Sequence, residues 1–466
     1  MALNSIEMEL IFQRLRPHLP ALSIAIAFLL AHSFGLYRAV LGLGPGESVA
    51  LTILLITALL WITETVPLYI TSLGVLAMSV LWLLPVLNGL GRDAQKDDFL
   101  QAFFGDITLL FMGGFVLSAL LNKFGLARRI ANWMIQKTGS APERVLLGLI
   151  AISALLSMWM SNTATAAMMF AIVGPLILQI PAGSTFSKAI ALAIPFACNI
   201  GGLGTPIGTP PNAIAMEYLN RAGIEISFAL WMVISIPLLL LLLAALWQLL
   251  LRLYPPGTIE ITIDEDPASA DNFTVRQKIV MVIFVLTILG WLTGGMTGLS
   301  TGFVGLLCIV ISFGIGLLNT ADFRNISWDI LFMLGGGLCL GVVLDESGLT
   351  DTIAHAIPMD QGFMFVFAIL LLMAAVMTTV MSNTATANLL IPVAVSLPGN
   401  ELLFSIAIAI MCSTSMALPV STPPNAIAFG SGLLQAKDML IAGLILTLLA
   451  LIGTAIASIF YIPLFF

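Results

Sequence analysis

The hexapeptide Met-Ser-Asn-Thr-Ala-Thr occurs twice, at Met160–Thr165 and Met381–Thr386, and Thr-Pro-Pro-Asn-Ala-Ile-Ala occurs twice, from Thr209 and from Thr422. Both lie in apolar surroundings, where an unpaired polar group is costly unless it lines a cavity. Pro210-Pro211 and Pro423-Pro424 cannot donate backbone hydrogen bonds and push the preceding threonine toward an extended conformation, so the helices carrying them should be broken. The half-helices starting near Asn212 and Asn425, and the arms starting after Ser161 and Ser382, would present free amides and positive dipole ends. Four such ends converging suit a dianion, and serine, threonine and asparagine can both cap them and donate to carboxylate oxygens. The same breaks free carbonyls. With side-chain oxygens these make a hard-cation site of the kind in which unwound helices hold sodium. A hydroxyl residue, Ser157 or Thr378, stands four positions before each motif serine. No lysine, arginine or histidine occurs in either tip or either proline loop. A bound sodium ion must then balance the anion, which makes anion binding conditional on the cation.

The elements that position these residues follow from composition. Of 466 residues, 59% are hydrophobic and 9% charged, outside the range of a water-soluble domain. Apolar stretches long enough to cross a bilayer, such as 227–251 and 439–466, recur along the chain. The expected fold is an all-α polytopic membrane protein. The N-terminal residues 1–20 lack a secretory-signal pattern and read as an amphipathic lead-in to the first span. Cys198, Cys308, Cys339 and Cys412 lie in apolar segments without CxxC spacing and are expected to be free buried thiols. The net charge of −7 comes partly from a polar stretch at 255–274 that contains Glu260, Asp264, Glu265, Asp266 and Asp271. This stretch suits a solvated linker, and nothing supports nucleic-acid binding.

The repeats keep their order. The hexapeptides are 221 residues apart, GTPPNAIA and STPPNAIA are 213 apart, and DITLLFMGGF from Asp106 echoes DILFMLGGGL from Asp329. Polar identities kept in register are poorly explained by apolar composition alone. Eleven spans fit, at about 19–41, 46–63, 66–87, 105–122, 188–219, 227–251, 278–294, 300–318, 328–345, 401–434 and 438–464, with the fifth and tenth broken. Residues 143–180 and 361–398 read as re-entrant hairpins around a central Ser-Asn-Thr. With the N-terminus cytoplasmic and the C-terminus external, 13 of the 17 lysines and arginines fall inside, leaving Arg38, Arg92, Lys96 and Arg221 outside. The hairpins then enter from opposite faces, as inverted-topology repeats require. The expected organisation is a first repeat at 1–254, a cytoplasmic linker at 255–276 and a second, inverted repeat at 277–466.

The two Ser-Asn-Thr tips and the two Thr-Pro-Pro loops resemble those of the divalent anion:sodium symporters, a family of dicarboxylate, citrate and sulfate carriers, over nearly the whole chain. The resemblance implies a homodimer in the cell membrane whose hairpins and broken helices move like an elevator against a scaffold drawn from the early spans of each repeat. It implies at least two sodium ions. One would bind to Ser157, Ser161, Asn162 and the Gly208 carbonyl, and the other to Thr378, the Met381 carbonyl, Asn383 and the Ser421 carbonyl. It implies that substrate carboxylates meet Asn162, Thr163, Ser382, Asn383, Thr384, Thr422 and Pro423. Because the tips carry no positive charge, symport is expected over sodium-independent exchange. A four-carbon dicarboxylate such as succinate, fumarate or malate is expected ahead of citrate or sulfate.

Other polar residues have blander readings. Asp106 and Asp329 each open an apolar span and read as helix caps rather than an ion relay. Glu64, before Pro67, reads as a cap or loop residue with a minor proton-linked alternative, and Glu217 as a solvated helix end. Trp159 reads as packing that could also shape a cavity wall. His18, His32 and His355 have no metal-binding spacing. An intramembrane hydrolase built on Ser161 or Ser382 lacks a base, and catalysis has no need of a symmetrical pair of serines. A passive pore is the other rival, separable by saturable, sodium-dependent flux.

Overall fold

The computed structural model describes residues 18–181, 184–259, 261, 272–357, 362–397 and 399–466. Most of the N-terminal lead-in, and the acidic residues of the linker from Glu260 to Asp271, lie outside these. The described residues are helical and contain no strand. Among the described residues nine helices are long and apolar enough to cross a bilayer. Eight of them coincide with expected spans and the ninth, Phe363–Val380, is the first arm of the second hairpin, so length alone does not separate an arm from a span. The remaining three expected spans appear as the shorter helices Leu19–Ser33, Thr301–Gly314 and Glu401–Thr414. The first span is interrupted at Gly35, whose left-handed φ of 67° ends one helix and starts Leu36–Leu41.

Among the elements that were not expected, two are matched between the repeats. Leu126–Gln136 and Leu349–Ala356 are short helices between a span and a hairpin, and each starts after a left-handed glycine, Gly125 or Gly348. Gly125-Leu126 and Gly348-Leu349, 223 residues apart like Asp106 and Asp329, therefore mark a turn used in both repeats.

The chain divides into two compact units that cut across the repeats. One comprises Met1–Phe103 and Phe332–Pro358. Within it, Thr352 donates to Glu47 at 2.5 Å and Arg92 donates to the Glu346 carbonyl. Glu64 ends the helix Pro45–Thr63 in a left-handed conformation, at φ 47°, and is exposed, which matches a cap rather than a buried acid.

The other unit comprises Phe104–Leu331 and Met359–Phe466 and holds both hairpins and both broken helices. Asp106 opens its own helix but caps a different one. Its carboxylate accepts from the Ser300 and Thr301 hydroxyls and from the Gly302 amide, at the start of Thr301–Gly314. The hairpins are Pro142–Ser157 with Asn162–Leu178, and Phe363–Val380 with Asn383–Val395. The broken helices are Phe186–Gly201 with Pro210–Arg221, and Glu401–Thr414 with Pro423–Gly430. Asn162–Leu178 packs on Pro423–Gly430, and its counterpart Asn383–Val395 packs on Pro210–Arg221. Likewise Phe186–Gly201 packs on Pro423–Gly430 and Glu401–Thr414 on Pro210–Arg221. Exchanging the repeats leaves these pairings unchanged, as any pair related by a two-fold axis demands.

Candidate functional site

Each hairpin turns over through an extended serine. Ser161 has φ −60° and ψ 139°, and Ser382 has φ −64° and ψ 145°. In both, the hydroxyl oxygen accepts from the amide three residues on, Ala164 at 3.2 Å and Ala385 at 3.1 Å, which caps the arm that follows. The next residue is held from behind. Ser157 donates to Asn162 Oδ1 at 2.5 Å, and Thr378 lies 2.8 Å from Asn383 Oδ1 and 2.9 Å from the Cys412 carbonyl. Ser157 and Thr378 are fully buried.

The proline loops match as closely. Thr209 (φ −152°, ψ 143°) and Thr422 (φ −145°, ψ 149°) are extended, and Pro210 and Pro423 start their half-helices at the first helical position. The helix thus begins two residues before the asparagine. Both asparagines turn back as staples across the break. Asn212 Nδ2 donates to the Gly202 and Thr205 carbonyls at 2.9 and 2.8 Å, and Asn425 Nδ2 to those of Met416 and Leu418 at 3.0 and 2.9 Å. These carbonyls lose their helical partners at the break, and the staple answers them without charge.

Equivalent carbonyls in the two hairpins are caught by different donors. Thr205 donates to the Met158 carbonyl in the first repeat, and Ser421 donates to the Thr379 carbonyl at 3.2 Å in the second. In the aligned loops Thr205 stands opposite Leu418, and Gly208 opposite Ser421. The hydroxyl has changed position and kept its target. Gly208 could not carry it, because a Cβ there would lie 2.4 Å from the Gly202 carbonyl oxygen.

Of the first expected cation set, Ser157 and Asn162 are hydrogen-bonded. The Asn162 amide and the Gly208 carbonyl both border Gly202, where a Cβ would meet Asn162 Oδ1 at 3.1 Å and Gly208 O at 3.2 Å. Ser161 sits beside them as the cap. In the second set Thr378 and Asn383 are joined. Met381, extended at φ −131° and ψ 171°, ends the first arm, and Ser421 reaches that arm through Thr379. Every donor in both sets is a hydroxyl, amide or carbonyl oxygen, the chemistry of a hard cation. Among the described residues no cluster of three or more His, Cys, Asp or Glu offers an alternative metal site.

The expected anion contacts are not equivalent in exposure. Thr163 and Pro423 are exposed, Asn162, Ser382 and Asn383 are half-buried, and Thr384 and Thr422 are buried. Trp159, next to the first tip, lies at the end of a ring column. It stacks on Phe228 at 6.3 Å, and Phe228 stacks on Trp291 at 5.3 Å, so packing is its observed role. One residue that sequence reasoning missed is Asn199, fully inside the long half of the first broken helix, whose amide reaches Thr422 and Asn425 of the second repeat. A lone asparagine in an otherwise apolar run was the available signal.

A doubled, neutral, oxygen-lined break inside a bundle of membrane-length helices is the arrangement of a multi-pass membrane transporter. The sequence profile of the citrate transporter (CitMHS) family matches residues 58–409. An uncharacterised transporter of Schizosaccharomyces pombe is 33% identical over 441 residues, 87% of this chain, which spans only 49% of that longer protein. The sodium-dependent dicarboxylate transporter SdcS of Staphylococcus saprophyticus is 30% identical over 89% of this chain and 86% of its own length. SdcS of a Staphylococcus aureus strain is 31% identical over 90% and 87%. Among solved structures, the Alcanivorax borkumensis YdaH transporter, reported for an unusual topology, shares the fold with a TM-score of 0.54 at 13% identity, over 78% of this chain and 86% of that one. The chain belongs to the citrate transporter family, in keeping with the resemblance read from its tips and loops.

Proposed function

We propose that the chain is a secondary active transporter that couples sodium entry to uptake of a C4 dicarboxylate, with succinate, fumarate or malate as substrate. The observation that carries this reading is the pair of hairpin tips in which a buried hydroxyl is hydrogen-bonded to the tip asparagine, Ser157 with Asn162 and Thr378 with Asn383, at a site without one charged side chain. Neutral donors can orient two carboxylates but cannot neutralise them, so cations must enter with the anion. At least two sodium ions are taken as co-substrates. The first uses Ser157, Ser161, Asn162 and the Gly208 carbonyl, and the second Thr378, Asn383 and the Met381 and Ser421 carbonyls. The anion is held by Asn162, Thr163, Ser382, Asn383, Thr384, Thr422 and Pro423. The SdcS relatives carry the name of sodium-dependent dicarboxylate transporters, which supports the same assignment.

In this reading the protein works as a homodimer in the cell membrane with its N-terminus cytoplasmic, and the hairpins and broken helices move as an elevator. The repeats run over 1–254 and 277–466, with the linker at 255–276 between them. The test is uptake of labelled succinate into proteoliposomes with and without an inward sodium gradient. Sodium-driven accumulation is expected, and equal uptake in both conditions refutes the coupling. Because the family profile is named for citrate, a competition panel of succinate, fumarate, malate, citrate and sulfate then ranks the anions.

A further inference from the structure

A chain of polar groups of fixed direction runs from a broken-helix loop of the second repeat to a buried residue of the first. It starts at Asn425, whose Nδ2 faces the Met416 and Leu418 carbonyls at 3.0 and 2.9 Å. Two carbonyls accept only, so the nitrogen must face them and Asn425 Oδ1 must point away as an acceptor. Facing that oxygen at 3.3 Å is the amide of Asn199, which therefore presents its own Nδ2. The second hydrogen of this Nδ2 goes to Thr422 Oγ1 at 3.1 Å. Thr422 Oγ1 also accepts from the Asn425 backbone amide at 3.3 Å, as the cap of its half-helix. A hydroxyl oxygen has two lone pairs, and both are engaged. Among the described residues its proton is donated to none.

We infer that Asn199 is a positioning residue that sets the polarity of Thr422: by filling its acceptor capacity it leaves the hydroxyl proton to one carboxylate oxygen of the transported anion. This rests on the dicarboxylate reading and assigns the direction of one substrate contact. The orientation has a cost, since Asn199 Oδ1 is buried and without a partner among the described residues, so the amide is held by what its nitrogen does. The first repeat lacks the device. Cys412 stands opposite Asn199, Asn212 Oδ1 has no partner among the described residues, and the Thr209 side chain makes no cap bond. Two loops of nearly equal backbone geometry thus differ in which threonine is a committed donor.

Asn199→Cys tests this with the residue that the opposite repeat already accommodates. In proteoliposomes carrying the full chain, the succinate KM is expected to rise about tenfold, the scale of a lost hydrogen bond to a charged group. The sodium-induced rise in Tm, read without succinate, is expected to persist. In a Thr422→Val background, Asn199→Cys should add nothing to KM, because its action passes through the missing hydroxyl. An unchanged KM in Asn199→Cys, or additive effects in the double variant, overturns the inference while leaving symport intact. No sodium-driven succinate uptake by the wild-type chain defeats the functional reading itself and this inference with it. Should Asn199→Cys fail to fold, Asn199→Ala is read in the same way, and failure of both makes Asn199 architectural and overturns the proposal.

Discussion

Ser157 and Asn162 meet across the tip of the first hairpin, hydroxyl to amide oxygen at 2.5 Å, and the four residues between them make the turn. Thr378 and Asn383 repeat the relationship at the same sequence spacing. A fully buried hydroxyl of this kind fixes the rotamer of the asparagine that both cation and anion are assigned to.

Removing it should act on sodium first. Ser157→Ala and Thr378→Val are each expected to raise the sodium concentration for half-maximal uptake by at least about tenfold, the usual scale for disturbing a ligand or its immediate support. The check is a sodium titration of Tm without substrate, in which the stabilisation given by saturating sodium should shrink or shift to higher concentration. A wild-type titration curve for both variants would contradict the assignment.

The proline loops should respond unequally to the smallest possible change. Gly208→Ala places a methyl group 2.4 Å from the Gly202 carbonyl oxygen, where backbone must move. It is expected to cost about 1–3 kcal/mol and to abolish uptake. Ser421→Ala at the equivalent position loses the hydroxyl's bonds to the Thr379 carbonyl and from the Leu418 amide but forces no backbone to move, and should keep measurable transport. Parallel uptake assays of purified, monodisperse variants decide it, and equal effects would show that the two breaks are interchangeable.

The staples carry stability. Asn425→Ala leaves the Met416 and Leu418 carbonyls without their side-chain partner, at an expected cost of about 1–3 kcal/mol. Ser382→Ala removes a helix cap worth about 1 kcal/mol. Both should lower Tm in detergent, Asn425→Ala by the larger amount, and a reversed order would argue against the staple.

Acid sensitivity is expected from the surface pair of Lys123 and Asp322, 2.6 Å apart. The Lys123 ammonium holds the Asp322 carboxyl below its ordinary value of 3.8. A depressed folded value means that the stabilisation is complete above the ordinary value and fades as pH falls through the lower one. The pair is partly exposed, so its contribution stays below about 1 kcal/mol. Melting of wild type and Asp322→Asn should differ slightly at neutral pH and converge on acidification below the usual carboxylate range.

Much of this was legible because the bilayer restricts the vocabulary. Hydropathy placed the spans, and Pro210-Pro211 and Pro423-Pro424 placed the breaks, since a chain without water has few other ways to satisfy its backbone. The repeats located the tips for the same reason: Ser-Asn-Thr has no place in hydrocarbon unless it has a task. What escaped were partnerships across long stretches of sequence. Asn199 reaches Thr422 over 223 residues, and its position resembles nothing in the second repeat, where Cys412 stands. The exchange of Thr205 for Ser421 hid behind an apparent mismatch, because only in space do the two hydroxyls seek the same carbonyl. The helices after Gly125 and Gly348 are too short to give a periodic signal.

The second arm of each hairpin rests on the short half-helix of the opposite repeat, so each tip has part of its packing surface in the other half of the chain. Half a gene would encode one tip and one break without that part of the surface. The two halves are held together by this packing, yet each can differ where its role is its own. Asn199 opposite Cys412 is a place where the halves have done so.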